Sequence, residues 1–392
     1  MKFALFALTL TGIMLISHYA VFRSAISFFQ INRPGFRYLL YAAMVLLSFS
    51  FISAFAAIHW RQNPWTIAYY RFAAVWTGFL IHSLSAAAVA WIVLGISRLA
   101  GVNLPVKGIG TVMLALAVTA SGYGIWAAFH PVVRYVSVPV TELPEGWKNS
   151  KIAVLSDMHL GLMHQKGFAR HTVNIVNSLQ PDLVLITGDL VDGMGGAYKD
   201  NLKPLNDLEA RHGLFFVTGN HEHYVGIEKS LRLIQNTPLR ILNNEAVAIS
   251  GLELVGVSYP GIAAVAGLGN FAREKTPGTL RIVMFHTPTE MGIHKDSLRD
   301  RHMANYWMPD TRFITNRELN ADLQVSGHTH GGQIFPLQFL TRWLYRGHDY
   351  GLKKINGLYL YTTSGTGSWG PPMRTAGRPE IAVIRLVKKM EK

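Results

Sequence analysis

Residues 1–130 carry eight cations (Lys2, Arg23, Arg33, Arg37, Arg61, Arg71, Arg98 and Lys107) and not one Asp or Glu. Soluble domains intersperse both signs of charge on their surfaces. An acid-free third of a chain is therefore hard to place in water. Within it lie four uncharged stretches, residues 3–22, 38–58, 72–97 and 108–129. Each is long enough to cross ~30 Å of hydrocarbon at ~1.5 Å per residue. Polar or basic connectors such as Arg33-Pro34-Gly35 and Arg61-Gln62-Asn63-Pro64 separate them, with Trp60, Trp65, Tyr69 and Tyr70 in the manner of interfacial aromatics. The first stretch is read as a retained span rather than a signal peptide, because no small-residue cleavage site follows it and three more spans do. The competing reading, four buried helices of a soluble bundle, leaves the missing acids unexplained.

Four spans put both termini on one side. Loops one and three hold Arg23, Arg33, Arg37, Arg98 and Lys107, against Lys2, Arg61, Arg71 and Arg134 on the other side. Positive loops stay inside, so the count leans the C-terminal part outward, to the extracytoplasmic face, although Lys148 and Lys151 blur the difference. His18 and His82 fall within spans. With no carboxylate in the region they make no proton relay and are read as structural.

From about residue 136 the composition turns to that of a soluble enzyme. The expected division is a transmembrane region over 1–135, a linker over 136–150 containing Pro139, Pro144 and Gly146, and a catalytic domain over 151–392. The whole chain is 49% hydrophobic and only 15% charged, has a formal net charge of +14, and contains no cysteine. Disulfide frameworks, Cys-based zinc sites, iron–sulfur clusters and thiol nucleophiles are thereby excluded. Short Val/Ile/Leu-rich runs at residues 152–156, 183–187, 214–218, 281–285 and 322–326 suit strands buried on both faces. Helices are expected over 167–179, 202–212 and 227–235, giving a βαβ pattern. The stretch 291–320 reads as a covering loop or a packed insertion.

Each run ends in polar residues: Asp157-Met158-His159, Gly188-Asp189, Gly219-Asn220-His221-Glu222, His286, and Gly327-His328-Thr329-His330. Ligands gather at the C-terminal ends of strands in such sheets. Asp, Asn and His suit Mn, Fe or Zn. In Asp-x-His and His-x-His, alternate residues of extended chain share a face, so both members are expected to reach one centre.

This ordered set, D-x-H, GD, GNH[DE], H and GHxH, resembles the calcineurin-like metallophosphoesterase superfamily across about residues 150–386. The runs GDLVDG (188–193), SGHTHGGQ (326–333) and GTGSWGPPMR (365–374) look most like its bacterial membrane-anchored branch, the YkuE-like and UDP-2,3-diacylglucosamine pyrophosphatase-like enzymes. The fold expected is the four-helix transmembrane bundle read above followed by what the resemblance implies, a layered α/β/β/α sandwich with two divalent metal ions; the resemblance also implies a location in a bacterial inner membrane. It implies that Asp157, His159 and His330 bind one ion, that Asn220, His286 and His328 bind the other, and that Asp189 bridges them. His221 becomes the general acid or a donor to the phosphoryl group, with Glu222 orienting it or lying at the surface. Glu222 stands where many relatives have Asp, and the 291–320 stretch is longer than usual. Weaker candidates are Asp192 as a support for the site, His223 and Tyr224 as cleft lining, and Arg374 as a phosphate-binding fork. His164, His171, His212, His294, His302 and His348 fit no motif position.

The expected activity is hydrolysis of a phosphodiester or pyrophosphate by metal-activated water, on a lipid-linked or membrane-surface substrate, with the bilayer as partner. Residues 339–345, basic and aromatic, are read either as a contact for anionic headgroups or as ordinary packing. Two alternatives stand beside this. One keeps the class but takes a phosphomonoester, phosphoprotein or nucleic acid. Nucleic acid is not expected, because no Lys/Arg run interleaves with aromatics. The other is a membrane receptor or scaffold with a vestigial metal site.

Overall fold

The computed structural model describes residues 2–263, 275, 277–293 and 309–389. His294 and His302, and most of the 291–320 stretch, lie outside the described residues. The chain forms two compact units. The first is Met1–Ala127 with Ile334–Pro336 and Gly370–Thr375; the second is Ala128–Gln333, Leu337–Trp369 and Ala376–Lys392.

The first unit is helical: α1 (Lys2–Phe29), α2 (Pro34–Ser48), α3 (Ser50–Trp60), α4 (Pro64–Leu99) and α5 (Val106–Ala128). Among the described residues three helices are long and apolar enough to cross a membrane, Leu8–Phe29, Pro64–Leu99 and Val106–Ala128. A fourth crossing results if α2 and α3, bent by 44°, count as one span. The bend has a local cause. Ser48, Ser50 and Ser53 return their hydroxyls to the carbonyls of Met44, Leu47 and Phe49 at 2.7–2.8 Å, and such back-bonding bends helices. α4 starts sharply because Asn63 accepts from the Trp65 and Thr66 amides and Pro64 opens the first turn. His18 bonds the Met14 carbonyl and accepts from Trp76 Nε1 at 2.8 Å, while His82 bonds Ser121 and Thr375 at 2.8 and 2.9 Å. Both are satisfied structural histidines.

The second unit contains two six-stranded sheets. Its strands are β1 (Val132–Val140), β2 (Lys151–Leu155), β3 (Leu183–Thr187), β4 (Leu214–Val217), β5 (Arg240–Ile241), β6 (Glu245–Ile249), β7 (Leu252–Val257), β8 (Ile262–Ala263), β9 (Leu280–Phe285), β10 (Gly292–Ile293), β11 (Leu323–Ser326), β12 (Gly351–Ile355), β13 (Leu358–Thr362) and β14 (Glu380–Lys388). One sheet has the order β1-β14-β2-β3-β4-β5, the other β12-β13-β11-β9-β7-β6, and β8 pairs with β10 apart from both. β2, β3, β4 and β5 run parallel in the first sheet, and β7, β9, β11 and β13 in the second. A continuous apolar core between the sheets includes Ile152, Leu185, Val217, Leu254, Ile282, Met284 and Val325. The outer face of the first sheet carries α6 (Lys166–Ser178), whose Phe168, Ala169, Thr172, Val173 and Val176 are buried at one-face helical spacing. The outer face of the second sheet packs Val257, Val283 and Phe285 with Met291 and Leu319, the last just after a short helix over Ile314–Glu318. The layering is the expected α/β/β/α.

Two expectations fail. Residues 136–140 are not linker: they complete β1, and Trp147 is fully buried in the inter-sheet core, with Nε1 donating to the Ser250 carbonyl at 3.1 Å. Pro139 suggested a linker, yet β1 is an edge strand, where a missing N–H is tolerated. The helix expected over 202–212 is instead α7 (Tyr198–Leu202) followed by a 3-10 turn over Lys203–Asp207. Pro204 removes the amide that a continuing α-helix requires.

Glu380, at the start of β14, is 1% exposed and accepts from Tyr361 Oη at 2.6 Å, Arg134 Nε at 2.9 Å and Tyr350 Oη at 3.0 Å. Glu380→Ala is expected to lower stability by about 1–3 kcal/mol, because the buried Tyr361 hydroxyl loses its acceptor. Thermal unfolding of the full chain followed by near-ultraviolet circular dichroism reads this; an unchanged midpoint would show that the carboxylate is dispensable.

Candidate metal centre

The C-terminal ends of five parallel strands meet at one place. β2 delivers Asp157 and His159, β3 Asp189, β4 Asn220 and His221, β9 His286, and β11 His328 and His330. Three groups hold one ligand atom per residue, all within 4.8 Å of one another: Asp157/His159/His330, Asp189/His286/His328 and His159/Asp189/His221.

The spacing fits metal coordination. His159 Nε2 faces His330 Nε2 at 3.1 Å, and His330 Nε2 stands 3.4 Å from Asp157 Oδ1. His286 Nε2 stands 3.2 Å from Asp189 Oδ2, 3.2 Å from His328 Nδ1 and 3.1 Å from Asn220 Oδ1. With metal–nitrogen bonds of ~2.1 Å, neighbouring ligands of one ion are ~3.0–3.4 Å apart. Asp189 joins His286 and His328 and also reaches toward the Asp157/His159/His330 group, its Oδ2 3.9 Å from His159 Nε2. His286 Nδ1 bonds the Thr187 carbonyl at 2.8 Å, which leaves Nε2 for a metal. All seven expected ligands are thus brought together.

Burial and close approach also shift the charge states of the donors. Asp157 and Asp189 are 0% and 2% exposed. Burial pushes the Asp157 carboxyl up. Burial would raise Asp189 too, but His286, His221 and His159 hold it well below the usual carboxylate range. His328 is pushed down to about 3 by burial and by His286. For His286 burial is outweighed by the Asp189 charge and hydrogen bond, and the ring is held up at about 9.

Backbone conformation does the aiming. Asp157, His159, Asp189, His328 and His330 all have left-handed φ, between 46° and 72°. This region is sparsely used by non-glycine residues, and its strain, on the order of 1 kcal/mol or more each, accumulates at functional sites. The expectation that Asp-x-His and His-x-His converge through extended-chain alternation is therefore corrected. Left-handed turns direct these side chains: Asp157 and His159 do reach one group, while His328 and His330 go to different groups, as the family resemblance implies.

Glu222 is neither exposed nor an orienter of His221. It is fully buried, and its carboxylate accepts from the amides of Gly219 at 2.7 Å, Leu190 at 2.9 Å, Asp189 at 3.0 Å and Val191 at 3.2 Å. It ties the loop after β3 to the start of α8 (Asn220–Val225). Burial and the Asp189 charge push its carboxyl up to about 7 against these amide bonds. The group facing His221 is Asp192, whose Oδ1 is 3.4 Å from Nδ1, with the Gly193 amide at 3.3 Å. Burial lowers the His221 pKa, but Asp189, Asp192 and Glu222 together hold it above its ordinary value.

His223 bonds the Tyr259 carbonyl at 2.8 Å, fixing the loop after β7, while exposed Tyr224 places its ring 5.0 Å from that of His221. His164, buried between Phe129 and Phe168, bonds Ser368 Oγ at 2.8 Å and is structural. Arg374 is corrected. It is fully buried in the helical unit, where its amide donates to the Gly124 carbonyl at 2.9 Å, so no exposed fork is offered to a phosphate. Trp369, whose ring lies 5.9 Å from His221, and Tyr345, 6.3 Å from His328, were not singled out as site residues. Aromatic residues near a metal site leave no spacing signal in a sequence.

Residues 150–332 match the model of the calcineurin-like phosphoesterase family. The chain is 35% identical to a metallophosphoesterase of Helicobacter pylori (strain J99 / ATCC 700824) over 279 residues, 68% of each chain. It is 32% identical to a "transmembrane protein with metallophosphoesterase domain" of Danio rerio over 296 residues, 70% of this chain and 62% of that one. It is 27% identical to the metallophosphoesterase YkuE of Bacillus subtilis (strain 168) over 295 residues, 71% of this chain and 95% of that one. The chain belongs to the calcineurin-like metallophosphoesterase family, whose members use divalent metals to cleave phosphoesters.

Gly219 sits where a Cβ would lie 2.2 Å from Asp189 Oδ1, and Gly327 where one would lie 2.2 Å from Asp157 Oδ2. Gly219→Ala is expected to displace the Asp189 carboxylate and reduce bound metal, read by elemental analysis of the reloaded protein. Full metal content would show that the close approach is not required.

Proposed function

We propose that the chain is a membrane-tethered, two-metal phosphoesterase that hydrolyses a phosphodiester or pyrophosphate bond of a membrane-surface or lipid-linked substrate. The observation that supports it most is the position of the buried Asp189 carboxylate between two three-residue donor groups, with His221 beside it. Asp157, His159 and His330 would hold one ion, and Asn220, His286 and His328 the other, with Asp189 shared. Divalent ions held there supply the charge that lets water lose a proton near neutral pH and that offsets charge building on the phosphoryl oxygens.

The remaining work falls to the chain's own groups. Asp192 Oδ1, 3.4 Å from His221 Nδ1, places a carboxylate beside the ring, and the Gly193 amide meets Nδ1 at 3.3 Å. From that position His221 would donate a proton to the departing oxygen. Glu222 and the two glycines hold the loops so that the carboxylates need not reorganise during reaction.

The tether supports a substrate at the lipid surface, since apolar helices precede the catalytic unit and the Danio rerio relative is named a transmembrane protein. On this reading the ions are Mn, Fe or Zn, nucleic acid is not a partner, and the chain resides in a bacterial inner membrane as a multi-pass protein with its site extracytoplasmic. A periplasm-only reporter fused after Lys392 is expected to be active; inactivity reverses the side.

The test of the chemistry is hydrolysis by detergent-purified, metal-stripped protein after Mn²⁺ is returned. Bis-p-nitrophenyl phosphate is expected to turn over, and Asp189→Asn to abolish it. Turnover of p-nitrophenyl phosphate alone would make the chain a phosphomonoesterase instead. His221→Ala is expected to retain both metals and lose ~10²–10⁴-fold in rate, as for a lost acid–base group. Loss of metal would move His221 into the ligand set, which the His159/Asp189/His221 grouping allows geometrically.

A further inference from the structure

The helix over Leu337–Leu344 buries none of its eight residues. Phe339 is 63% exposed, Leu340 51% and Trp343 74%. Phe339 and Trp343, four apart, share one helix face. Exposed Arg342 and Arg346 follow the same stretch, and with Trp343 and Arg312 they wall a cleft of about 820 Å³. Arg312 is already neutralised by Asp310, with Nη2 to Oδ2 at 2.5 Å. Positive charge toward solvent therefore comes from Arg342 and Arg346. Large apolar side chains in a contiguous exposed patch mark an interaction surface. Aromatic and aliphatic residues with flanking arginines are the make-up of a helix lying in a lipid interface.

Chain continuity selects the occupant. Ile334–Pro336, immediately before this helix, belong to the helical unit. Phe335 donates its amide to Thr375 Oγ1 at 3.0 Å, and Thr375 bonds His82 of α4 at 2.9 Å. The helix thus begins at the residue after a segment packed within the membrane-crossing unit. A bilayer is present wherever the protein is, at an effective concentration that no soluble partner matches.

We propose that Leu337–Leu344 is an in-plane helix that docks on an anionic lipid bilayer, with Phe339, Leu340 and Trp343 in the acyl–headgroup boundary and Arg342 and Arg346 on lipid phosphates. An arginine near an anionic surface contributes about 1 kcal/mol, and Trp favours this depth. The helix is followed directly by Tyr345, whose buried ring centre lies 6.3 Å from that of His328, so the docked segment adjoins the metal centre in the chain. The proposal rests on the membrane tether read above and not on the hydrolytic chemistry.

The chain has no cysteine, so Trp343→Cys gives a single labelling site on an exposed residue. The full chain, labelled there with an environment-sensitive fluorophore, would be placed in nanodiscs of phosphatidylcholine and phosphatidylglycerol containing nitroxide-bearing lipids. The reference is the same label at Glu228→Cys, an exposed position on α9 (Ile227–Ile234). Shallow nitroxides are expected to quench position 343 several-fold more than position 228. That excess should fall when Arg342→Glu and Arg346→Glu are combined, or when phosphatidylglycerol is omitted. Equal quenching at both positions would overturn the proposal. So would lipid-independent self-quenching at 343 that grows with protein density, which would assign the patch to a second copy. Leu340→Cys repeats the measurement should the first variant fold poorly. Turnover is not read, so failure of the phosphoesterase reading and failure of this one are distinguishable.

Discussion

A carboxylate buried between two clusters of imidazoles is the interaction on which the catalytic unit depends. Asp189 has almost no solvent, receives the His221 amide on Oδ1 at 2.8 Å, and turns Oδ2 toward His286 and His159. Desolvating such a group without compensation is prohibitive. The fold meets that demand by bringing the C-terminal edges of two sheets to one point, so that histidines from β2, β9 and β11 surround a carboxylate from β3. Three of the parallel strands serving the site come from one sheet and two from the other. The inter-sheet core from Ile152 to Val325 is what fixes their separation.

Rigidity near the centre is distributed over groups that never need to touch substrate. Five ligand residues hold left-handed backbone, which persists only where surrounding structure over-determines it. Glu222 supplies part of that determination through four amides, and Gly219 and Gly327 remove the side-chain bulk that would push the carboxylates aside. His223 and His164 pin neighbouring loops to Tyr259 and Ser368. The family likeness extends over this framework as well as over the ligands, with residues 150–332 matched.

Much of the architecture was legible in the sequence because its signals were local. Runs of Val, Ile and Leu ending in Gly plus Asp, Asn or His located β2, β3, β4, β9 and β11 to within a residue or so, and the acid-free third located the apolar helices. What sequence could not reveal depended on partners distant in the chain. β1 was hidden by Pro139 because only its pairing with β14 makes it an edge strand. Glu222 read as an orienter of His221 or a surface residue because its four amide donors lie on two separate loops. Arg374 read as a substrate contact because nothing near it announces burial beside Gly124. The family resemblance already assigned His328 and His330 to different ions; what the residue pattern did not encode is the left-handed φ that aims each of them.

The most direct test of the central claim, a pair of metal sites sharing Asp189, is anomalous diffraction from crystals of the full chain grown with Mn²⁺, with data collected at the manganese edge. Two peaks are expected, one bounded by Asp157, His159 and His330 and one by Asn220, His286 and His328, with the Asp189 carboxylate reaching both. A single peak, or two peaks of which Asp189 touches only one, would contradict it.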